Sequence, residues 1–434
     1  MRASSLVRAL TPALTALLVS IVPVLSASAG PPGSLDQAFG ENGLVDLDFG
    51  DDLSEHGSAF VRQPDGKLIV AGVQIGAGPA PFAVARYLAN GDFDQGFGDH
   101  GHTAIHVGGA ASNDAGGVAL TPGGKIVLGG TSDLGEFAVI RLRTDGTPDP
   151  TFNQTGDREF GFGPGSTDNA FAVAVQDDGK IVIAGSALQG GVKRMAVARL
   201  RKNGTLDPDW SGDGRVLTTF GASTDQRAEG VILLDDGRIA AVGEAELGAN
   251  EHDFALAVYR PNGTLDHTFS GDGRATANFG GNEFGYKAAE QPDGRIVVSG
   301  ETDFGANDCD WALARFKPGG ALDQTFSGDG KVTTAFGPGC DIASGLLLLQ
   351  SGKIVGVGSK GDPGTFTPAV VRYRTNGTRD TTFSGDGKVV TSFGEGSGEF
   401  WGAAETPAGK IVAGGRTLHS TAEQGNFAMA RYLG

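Results

Sequence analysis

The sequence is short of basic residues, of collagen-like periodicity and of motifs for nucleotide chemistry, and each shortage excludes a class of protein. Its 34 Lys and Arg residues stand against 51 Asp and Glu, for a formal net charge of −17. We expect neither nucleic acid nor an anionic membrane surface as a partner, because both require clustered cations. Glycine is abundant, at 73 of 434 residues, but it has no Gly-X-Y period, which excludes collagen.

Known catalytic and transmembrane patterns are missing as well. The sequence has no nucleophile elbow, no Walker loop and no dinucleotide fingerprint, and its many Gly-x-Gly strings fall in turns. After the first thirty residues, no segment is apolar enough to span a bilayer and none has the period of an amphipathic helix. The sequence alone therefore predicts no membrane span and identifies no catalytic residue.

The N-terminal segment has the features of an export signal. Arg2 and Arg8 flank the start of an uncharged, mostly apolar run over residues 9–25, and Ala27-Ser28-Ala29 follows as a small-residue cleavage site. An uncleaved anchor is the alternative, but the run is short for a membrane helix and contains two prolines. We predict a signal peptide over residues 1–29, and a single domain over 30–434 that is secreted or located in the periplasm or cell envelope.

Seven copies of one unit fill the rest of the chain. Each copy has an Asp, an aromatic residue three positions later and a glycine seven positions later. Successive Asp residues are 58, 55, 58, 59, 57 and 57 positions apart. The Asp–aromatic pairs are Asp36/Phe39, Asp94/Phe97, Asp149/Phe152, Asp207/Trp210, Asp266/Phe269, Asp323/Phe326 and Asp380/Phe383. Such self-similarity indicates a repeat architecture.

Each unit predicts four short strands, which in the first copy are residues 44–49, 59–63, 67–72 and 82–87. Asp65-Gly66 provides the tight turn between the second and third. Several strands are apolar without alternation, which is typical of burial on both faces. We therefore predict an all-β fold, a seven-bladed β-propeller of four-stranded antiparallel blades. A two-sheet sandwich or an open β-solenoid is the alternative.

The two ends of the repeat region complement each other. Residues 44–49 have the sequence of an outermost strand and precede any innermost strand of their own, whereas the last unit stops without an outermost strand. We predict that residues 44–49 complete the seventh blade by pairing antiparallel with residues 427–432. Such closure would also remove an exposed sheet edge.

The repeated strings are those of a known repeat family. Residues 291–297 read QPDGRIV, residues 326–332 read FSGDGKV after Leu322 and Asp323, and residues 82–87 read FAVARY. This pattern resembles the delta-sixty repeat family of bacterial secreted and cell-envelope proteins, over about residues 33–434. The resemblance implies a propeller fold and no particular reaction. The third unit departs from it, with Pro148 before Asp149 and the string NQTG over residues 153–156.

A recurrent arginine predicts ion pairs inside the blades. Six of the seven fourth strands end in Arg, and an Asp follows eight residues later in five of these units; ring closure would supply Asp36 to the sixth, Arg431. An arginine in an apolar strand needs a carboxylate partner. The predicted structural pairs are Arg86–Asp94, Arg141–Asp149, Arg199–Asp207, Arg315–Asp323, Arg372–Asp380 and Arg431–Asp36.

A second recurrent position predicts a polar ring. It lies twelve residues before the Lys or Arg that opens the second strand of each hairpin, and six of its seven residues have a side-chain oxygen: Glu55, Asn113, Asp168, Gln226, Glu283 and Asp341, with Gly398 as the seventh. We expect these residues in the loops that enter the innermost strands, where they could bind a cationic ligand at the channel mouth. Alternatively, each side chain satisfies local backbone amides.

Two metal sites are weaker candidates. The Asp-rich loops place oxygens at alternate positions, as in Asp323, Thr325, Ser327 and Asp329, which suits calcium, but no bidentate Glu follows. A Gly-rich turn whose Asp binds its own backbone explains them equally. His100, His102 and His106 lack the further ligands of a zinc site. We predict no metal and no cofactor, with calcium in these loops as the alternative.

The two cysteines, Cys309 and Cys340, predict a disulfide, since export leads to an oxidising compartment and they are the only pair. Cys309 is expected in the loop before a fourth strand, and Cys340 in the loop to the next innermost strand. Both loops emerge on the same face of a propeller. Two free thiols are the alternative.

The sequence favours a monomeric, non-enzymatic scaffold that presents loops on one propeller face to a protein or glycan ligand. The segments 73–81, 131–136, 244–253 and 416–426 vary while the strands around them repeat, and variable loops on a fixed frame are common binding sites. The alternative is a hydrolase or lyase that acts on polysaccharide or cell-wall material at the channel mouth. An active site of that kind would be expected to break the repeat symmetry.

Overall fold

The computed structural model describes residues 30–47, 54–76, 80–107, 113–222, 224–248, 251–305, 308–361, 365–394, 396–418 and 425–434. These residues form seven four-stranded antiparallel sheets. The described part of the chain contains strands and no helix, and accordingly no helix that could cross a membrane. The predicted seven-bladed, all-β propeller is confirmed.

The first four blades and the closing strand use the following elements in chain order: β1 (Leu44–Leu47), β2 (Ser54–Arg62), β3 (Leu68–Ile75), β4 (Phe82–Tyr87), β5 (His102–Ile105), β6 (Asn113–Leu120), β7 (Ile126–Ser132), β8 (Phe137–Leu142), β9 (Asp157–Phe160), β10 (Thr167–Val175), β11 (Ile181–Gln189), β12 (Val192–Leu200), β13 (Arg215–Thr218), β14 (Gln226–Leu233), β15 (Ile239–Glu246), β16 (His252–Tyr259) and β17 (Arg274–Ala277). The remaining elements are β18 (Asn282–Glu290), β19 (Ile296–Asp303), β20 (Cys309–Phe316), β21 (Lys331–Thr334), β22 (Ile342–Leu348), β23 (Ile354–Lys360), β24 (Thr367–Tyr373), β25 (Lys388–Val390), β26 (Ser397–Glu405), β27 (Ile411–Leu418) and β28 (Gly425–Tyr432).

Blades one to six are consecutive in sequence, β2–β5 to β22–β25, each with its first strand innermost and its fourth outermost. Blade seven contains β26, β27 and β28, and β1 is its outermost strand. The register pairs Leu44 with Ala430 and Leu47 with Phe427 in antiparallel fashion. The predicted ring closure by the N-terminal strand is thus confirmed, and residues 48 and 49 of the predicted segment lie outside the described residues.

Packing between neighbouring blades explains why the strands are apolar on both faces. One hydrophobic cluster joins Val297 and Trp311 of blade five to Ile354 and Tyr373 of blade six, all of which are fully buried. Equivalent clusters lie between the other blades. Side chains on both faces of a sheet are therefore removed from water, which is the main favourable contribution to folding.

The innermost strands begin earlier than the sequence predicted. In blade one, β2 begins at Ser54, five residues before the predicted start at residue 59. A β-bulge falls between Gly57 and Ala59, and every other innermost strand has an irregularity at the equivalent place. The bulge adds one residue and interrupts the alternation, so the polar residues before it resemble a loop. A glycine opposite, such as Gly243, is needed because a Cβ there would lie 1.9 Å from the Arg227 carbonyl oxygen.

The strand directions give the propeller two unlike faces. Turns between first and second strands and the Asp-rich loops between third and fourth strands lie on one face, which we call the turn face. Connections between second and third strands, and from one blade to the next, lie on the opposite face, which we call the variable face. The described residues of the segments predicted as variable loops belong to the variable face, and residues 77–79, 249–250 and 419–424 of those segments lie outside the described residues. Part of each is strand, however: in blade four only residues 247–251 separate β15 from β16.

Candidate functional site

Ion pairs organise the turn face. The Asp carboxylate of each predicted pair lies 2.6–2.9 Å from its arginine guanidinium, so the structure brings all six pairs together. The six carboxylates are at most 9% exposed. In Arg431–Asp36 the two partners come from opposite ends of the chain and meet at 2.6 Å. These contacts link the last strand of each unit to the loop that follows it.

Most pairs have two further contacts that the sequence interpretation missed. In most units the Lys or Arg directly before the second strand of the blade also contacts the Asp. Lys67 contacts Asp94 at 2.8 Å, and Arg295 contacts Asp323 at 2.8 Å. The paired arginine also donates to a backbone carbonyl of the next blade, for example Arg199 Nη1 to Pro261 O at 2.8 Å. The recurrence of the hairpin cation at a fixed position was the available sequence signal.

The motif aromatic completes this arrangement. The paired guanidinium lies 4.4–5.8 Å from the ring centroid of the aromatic residue in all six pairs, a distance suited to a cation–π interaction. The same ring packs against a glycine of the next blade: a Cβ on Gly377 would lie 2.8 Å from the Phe326 ring. The Asp, the aromatic and the glycines of the repeat are thus explained by packing between blades.

Blade four shows how the network adapts to a missing arginine. Val258 stands where the other units have Arg, and Asp266 instead contacts Arg238 at 3.0 Å and Arg260 at 3.3 Å. Burial raises the pKa of Asp266, but hydrogen bonds from Thr268 and the two arginines outweigh it and hold the pKa at about 2. Charge compensation is preserved even though its source has changed.

The oxygens considered for calcium are already engaged. The first Asp of the loop in blade five, Asp323, contacts Arg315 and Arg295, and its other oxygen accepts hydrogen bonds from Thr325. The last Asp, Asp329, accepts a hydrogen bond from the Lys331 backbone N–H at 2.9 Å. These contacts are those of a Gly-rich turn whose acidic side chains bind nearby donors.

The predicted polar ring is buried and bonded to the backbone. Asp168, Gln226, Glu283 and Asp341 are at most 1% exposed. Asp168, Gln226 and Glu283 lie in the first two residues of the innermost strands, whereas Asp341 lies in the entering loop, directly before β22. The side chains of Glu55 and Asn113 lie outside the described residues, and Gly398 is in β26.

Each described ring side chain accepts a hydrogen bond from the loop that precedes it. The donor is the backbone N–H of a phenylalanine two residues beyond the end of the previous outermost strand: Phe162 for Asp168, Phe220 for Gln226 and Phe336 for Asp341, at 2.6–2.7 Å. Glu283 accepts from Gly281 N–H at 2.9 Å. These bonds correspond to the alternative in which the polar residue satisfies local amides.

The repeat breaks down at a different place, around the channel on the variable face. Three positions per blade differ from copy to copy although the strands around them repeat. In the second strand of each blade, one such position directly follows the glycine that lies opposite the bulge. Its residues are Val73, Thr131, Ser186, Glu244, Glu301, Ser359 and Arg416. The bulge position has Ser58, Gly116, Phe171, Glu229, Tyr286, Ser344 and Trp401, and the residue two before it has His56, Asp114, Asn169, Arg227, Phe284, Ile342 and Glu399. Disagreement among copies within repeated strands was the signal that could have identified these residues.

Blades four and five concentrate charge at this place. Arg227 Nε lies 2.9 Å from Glu229 Oε1 and also contacts Glu244. Tyr286 donates its hydroxyl proton to Glu301 Oε1 at 2.8 Å. Glu244 and Glu301 are only 2% and 8% exposed. We call Arg227, Glu229, Glu244, Tyr286 and Glu301 the mouth cluster.

Burial shifts the ionisation of the mouth cluster toward neutral pH. Burial raises the pKa of Glu301 to about 7, although the Tyr286 hydrogen bond opposes the shift. Burial also raises the pKa of Glu244 in spite of Arg227 beside it. Carboxylic acids of this kind can exchange protons under physiological conditions.

A second ion pair lies on blade seven. Arg416 Nη2 contacts Glu399 Oε1 at 2.6 Å, and Arg416 Nη1 lies 3.2 Å from His56 Nδ1 of blade one. Burial raises the pKa of Glu399, and the Arg416 guanidinium opposes it. Both arginines of the channel mouth are therefore paired with carboxylates.

Replacing Glu301 with Gln should stabilise the protein at high pH. The folded-state pKa of about 7 exceeds the ordinary value of 4.5, so the folded state binds the proton more tightly and wild-type stability falls as pH rises from about 4.5 through 7. The amide keeps the Tyr286 contact without ionising. We expect the variant to gain on the order of 2 kcal/mol over wild type at pH 8 and almost nothing at pH 4.5, measured by urea unfolding. An equal difference at both pH values would contradict the raised pKa.

The predicted disulfide is confirmed. Cys309 and Cys340 are bonded, with Cys309 as the first residue of β20 rather than in the loop before it. Cys340 lies in the connection from β21 to β22, and Asp341 N–H donates to Cys309 O at 2.7 Å. The bond therefore ties blade five to the entrance of blade six on the variable face, beside Glu301, whose Oε2 is 3.9 Å from Cys340 Sγ.

Removal of the disulfide should cost substantial stability. The bond spans a sequence separation of 31 residues, and closing a loop of that size in the unfolded chain is worth roughly 3–4 kcal/mol. We expect the Cys309→Ser/Cys340→Ser variant to lose about that much free energy of unfolding. Dithiothreitol should lower the melting temperature of the wild type to about that of the variant. It should leave the melting temperature of the variant unchanged. Equal melting of oxidised and reduced wild type would contradict the prediction.

The histidines do not assemble a metal site with other ligands in the described part of the chain. The grouping there with metal-ligand spacing is Glu301 with Cys309 and Cys340, and both sulfurs belong to the disulfide. His100 instead lies beside Asp99, with its ring exposed.

Fold and site together define a β-propeller with a repeated, ion-paired turn face and a non-repeated channel mouth. Six segments of the chain, residues 63–97, 122–152, 176–209, 234–269, 291–326 and 349–383, match the model of a family described as a domain of unknown function (DUF5122) β-propeller. These matches support a β-propeller repeat family. The description of the matching family does not contain the delta-sixty name, so the likeness to the delta-sixty repeat family remains a resemblance.

Several solved structures are similar to this chain at low sequence identity. A protein of unknown function from Dyadobacter fermentans is 13% identical, with a TM-score of 0.46 over 90% of this chain and 97% of the other. The polysaccharide lyase Uly1 is 14% identical, with a TM-score of 0.49 over 89% and 91%. A gluconolactonase from Xanthomonas campestris is 14% identical, with a TM-score of 0.40 over 75% and 91%. No curated protein matches the sequence.

Proposed function

We propose that the protein is an exported, non-enzymatic propeller that binds a protein or glycan ligand through its variable face. The observation that carries this proposal is the distribution of exposed apolar side chains. Seven large apolar residues are at least 37% exposed in the described part of the chain, and five of them lie at the second-to-third-strand connections of blades one to five: Ile75, Leu134, Leu188, Leu247 and Phe304. Exposed apolar groups collected on one face are characteristic of interaction surfaces.

Charge on the same face supports a particular kind of partner. The connection of blade four, residues 246–253, and that of blade five, residues 303–310, each have three acidic residues and no Lys or Arg. On the turn face, by contrast, the six buried Asp carboxylates of the predicted pairs contact arginines. A partner with apolar groups flanked by basic ones therefore complements the variable face.

The test compares two sets of substitutions at similarly exposed positions. One variant replaces the five apolar residues of the variable face with Ser. The control variant replaces Leu88 with Ser; Leu88 is 37% exposed and lies in a turn-face loop, directly after β4. We expect the mature protein to capture a ligand in pull-downs from cell-envelope material or on a glycan array, and the capture to survive in the control and disappear in the five-site variant. Capture that survives in both well-folded variants would reject the variable face as the binding surface.

The mouth cluster favours a second candidate, a hydrolase or lyase. Glu301, with a pKa raised to about 7 by burial, and its hydrogen-bond donor Tyr286 occur in one blade only, and an acid–base site is expected to break the repeat in this way. Turnover of a cell-wall polysaccharide by the wild type, and its loss in a Glu301→Gln variant that melts no lower than the wild type, would favour this candidate. Turnover that persists in the variant would remove Glu301 from the reaction.

A further inference from the structure

A lysine interrupts a run of small residues along the channel. The position directly after the bulge has Ala59, Gly117, Ala172, Gly230, Gly345 and Gly402 in six blades, and Lys287 in blade five. Small residues suit this position because the inner strands crowd one another: a Cβ on Gly230 would lie 2.7 Å from the Tyr286 carbonyl oxygen. A long cationic side chain thus replaces the smallest side chains at a single place on the axis.

The ammonium group of Lys287 has unused hydrogen-bonding capacity. Nζ donates to the Glu229 backbone carbonyl at 3.2 Å, which uses one of its three protons. Among the described residues no carboxylate oxygen lies within 4.0 Å of it. Burial lowers its pKa, and the charge of Glu229 only partly opposes this. Lys287 is partly buried, and a partly desolvated cation without a paired anion is unfavourable, so stability does not explain a lysine at this position.

The lysine lines a cavity on the channel axis. The cavity has a volume of about 220 Å³ and is enclosed by the innermost strands of all seven blades. Its walls are mostly Gly, Ala, Val, Leu and Ile with Phe60 and Trp401, and Lys287 is the one charged residue in its lining. Drug-sized ligands occupy roughly 300–1,000 Å³, so only a smaller molecule fits.

We propose that this axial cavity binds a small organic carboxylate, with Lys287 as its counter-ion. A carboxylate supplies the missing anion and accepts the unused N–H donors, while the apolar walls contact its carbon skeleton. The neighbouring arginines do not compete for the anion, because Arg227 and Arg416 are already paired with glutamates. This site is separate from the apolar groups of the variable face, so it stands whether or not that face binds a partner.

Calorimetric titration of the mature protein with acetate, butyrate and benzoate tests the proposal. Each acid is compared with its amide, and inorganic phosphate serves as a further probe. We expect at least one carboxylate to bind and its amide not to. Lys287→Ala should weaken the carboxylate about tenfold or more, whereas Lys317→Ala, at an exposed lysine of the turn face, should leave it unchanged. Alanine is the residue at this position in blades one and three, so the fold should be preserved.

Four results would overturn the proposal. These are absence of heat with every carboxylate at about 10 mM, equal affinity for acid and amide, binding of phosphate alone, and equal binding in wild type and Lys287→Ala. Melting gives an independent check. A functional, unpaired lysine predicts that Lys287→Ala melts at or above the wild-type temperature, and a fall of several degrees would assign Lys287 a structural role instead.

Discussion

A chain that begins at Ser54 is expected to lose most of its stability and to self-associate, although it keeps every strand of blades one to six. The deletion removes β1, the outermost strand of blade seven, and exposes the edge of β28. Unpaired edge strands promote intermolecular pairing. Light scattering after size-exclusion chromatography should show oligomers, and thermal melting should show a large loss of stability relative to a chain that begins at Gly30.

The size of this effect follows from what the N-terminal segment contacts. Asp36 binds Arg431 and Lys410, each at 2.6 Å, and Phe39 is fully buried. Leaving Arg431 without its carboxylate and removing a buried phenylalanine each cost roughly 3–5 kcal/mol, and single domains have only about 5–15 kcal/mol in total. The deletion therefore approaches the full stability of the fold.

Complementation separates ring closure from nonspecific damage. A synthetic peptide of residues 30–47 should restore a monomeric state and raise the melting temperature of the truncated chain, while the same peptide with Asn at position 36 should do so less well. A truncated chain that stays monomeric and melts like the chain from Gly30 would show that β1 does not hold the ring closed.

The fold was predictable because its determinants are repeated seven times. Four-strand units with a fixed period, two-sided apolar strands and Asp-Gly turns lead to a propeller, and the surplus strand at one end matches the deficit at the other. The starts of the innermost strands were not predictable in the same way. The bulge at Ser58 breaks the alternation by which a strand is recognised, and the residues before it are polar, so β2 resembled a loop as far as residue 58.

The candidate site was harder to predict for a related reason. Repetition first draws attention to residues such as Asp168 and Asp341, and the structure shows these bonded to backbone amides. The chemically unusual residues, Glu301 and Lys287, have no neighbouring motif; Lys287 occurs in one blade only, and among the other copies only Glu244 matches Glu301. Only after the copies are aligned on the strands do they stand out, because each replaces an uncharged residue in most of the other blades.

Replacement of Asp323 with Asn is expected to destabilise the protein by roughly 3–5 kcal/mol. Asp323 is 0% exposed, and its carboxylate lies 2.8 Å from both Arg315 and Arg295. Asparagine keeps the volume and can still accept the Thr325 hydrogen bonds, but it leaves Arg315, which is 5% exposed, with an uncompensated buried charge. The loss should appear in urea unfolding at neutral pH, without a change in the slope that would indicate a different folded state.

The loss of stability is expected because Asp323 is paired with arginines, and not merely because the substitution removes an acidic residue from the loop. Asp329→Asn in the same loop is the matched control, since Asp329 is exposed and accepts only a backbone hydrogen bond from Lys331; we expect a change within about 0.5 kcal/mol.

Acid should reveal the same difference. Burial raises the pKa of Asp323, but the Thr325 hydrogen bonds and the two arginines hold it below its usual value, so its contribution is present above about pH 4 and lost as pH falls through the folded-state pKa. Wild type and Asp323→Asn should therefore converge in stability in strong acid, and equal stability at pH 7 would mean that the pair does not support the fold.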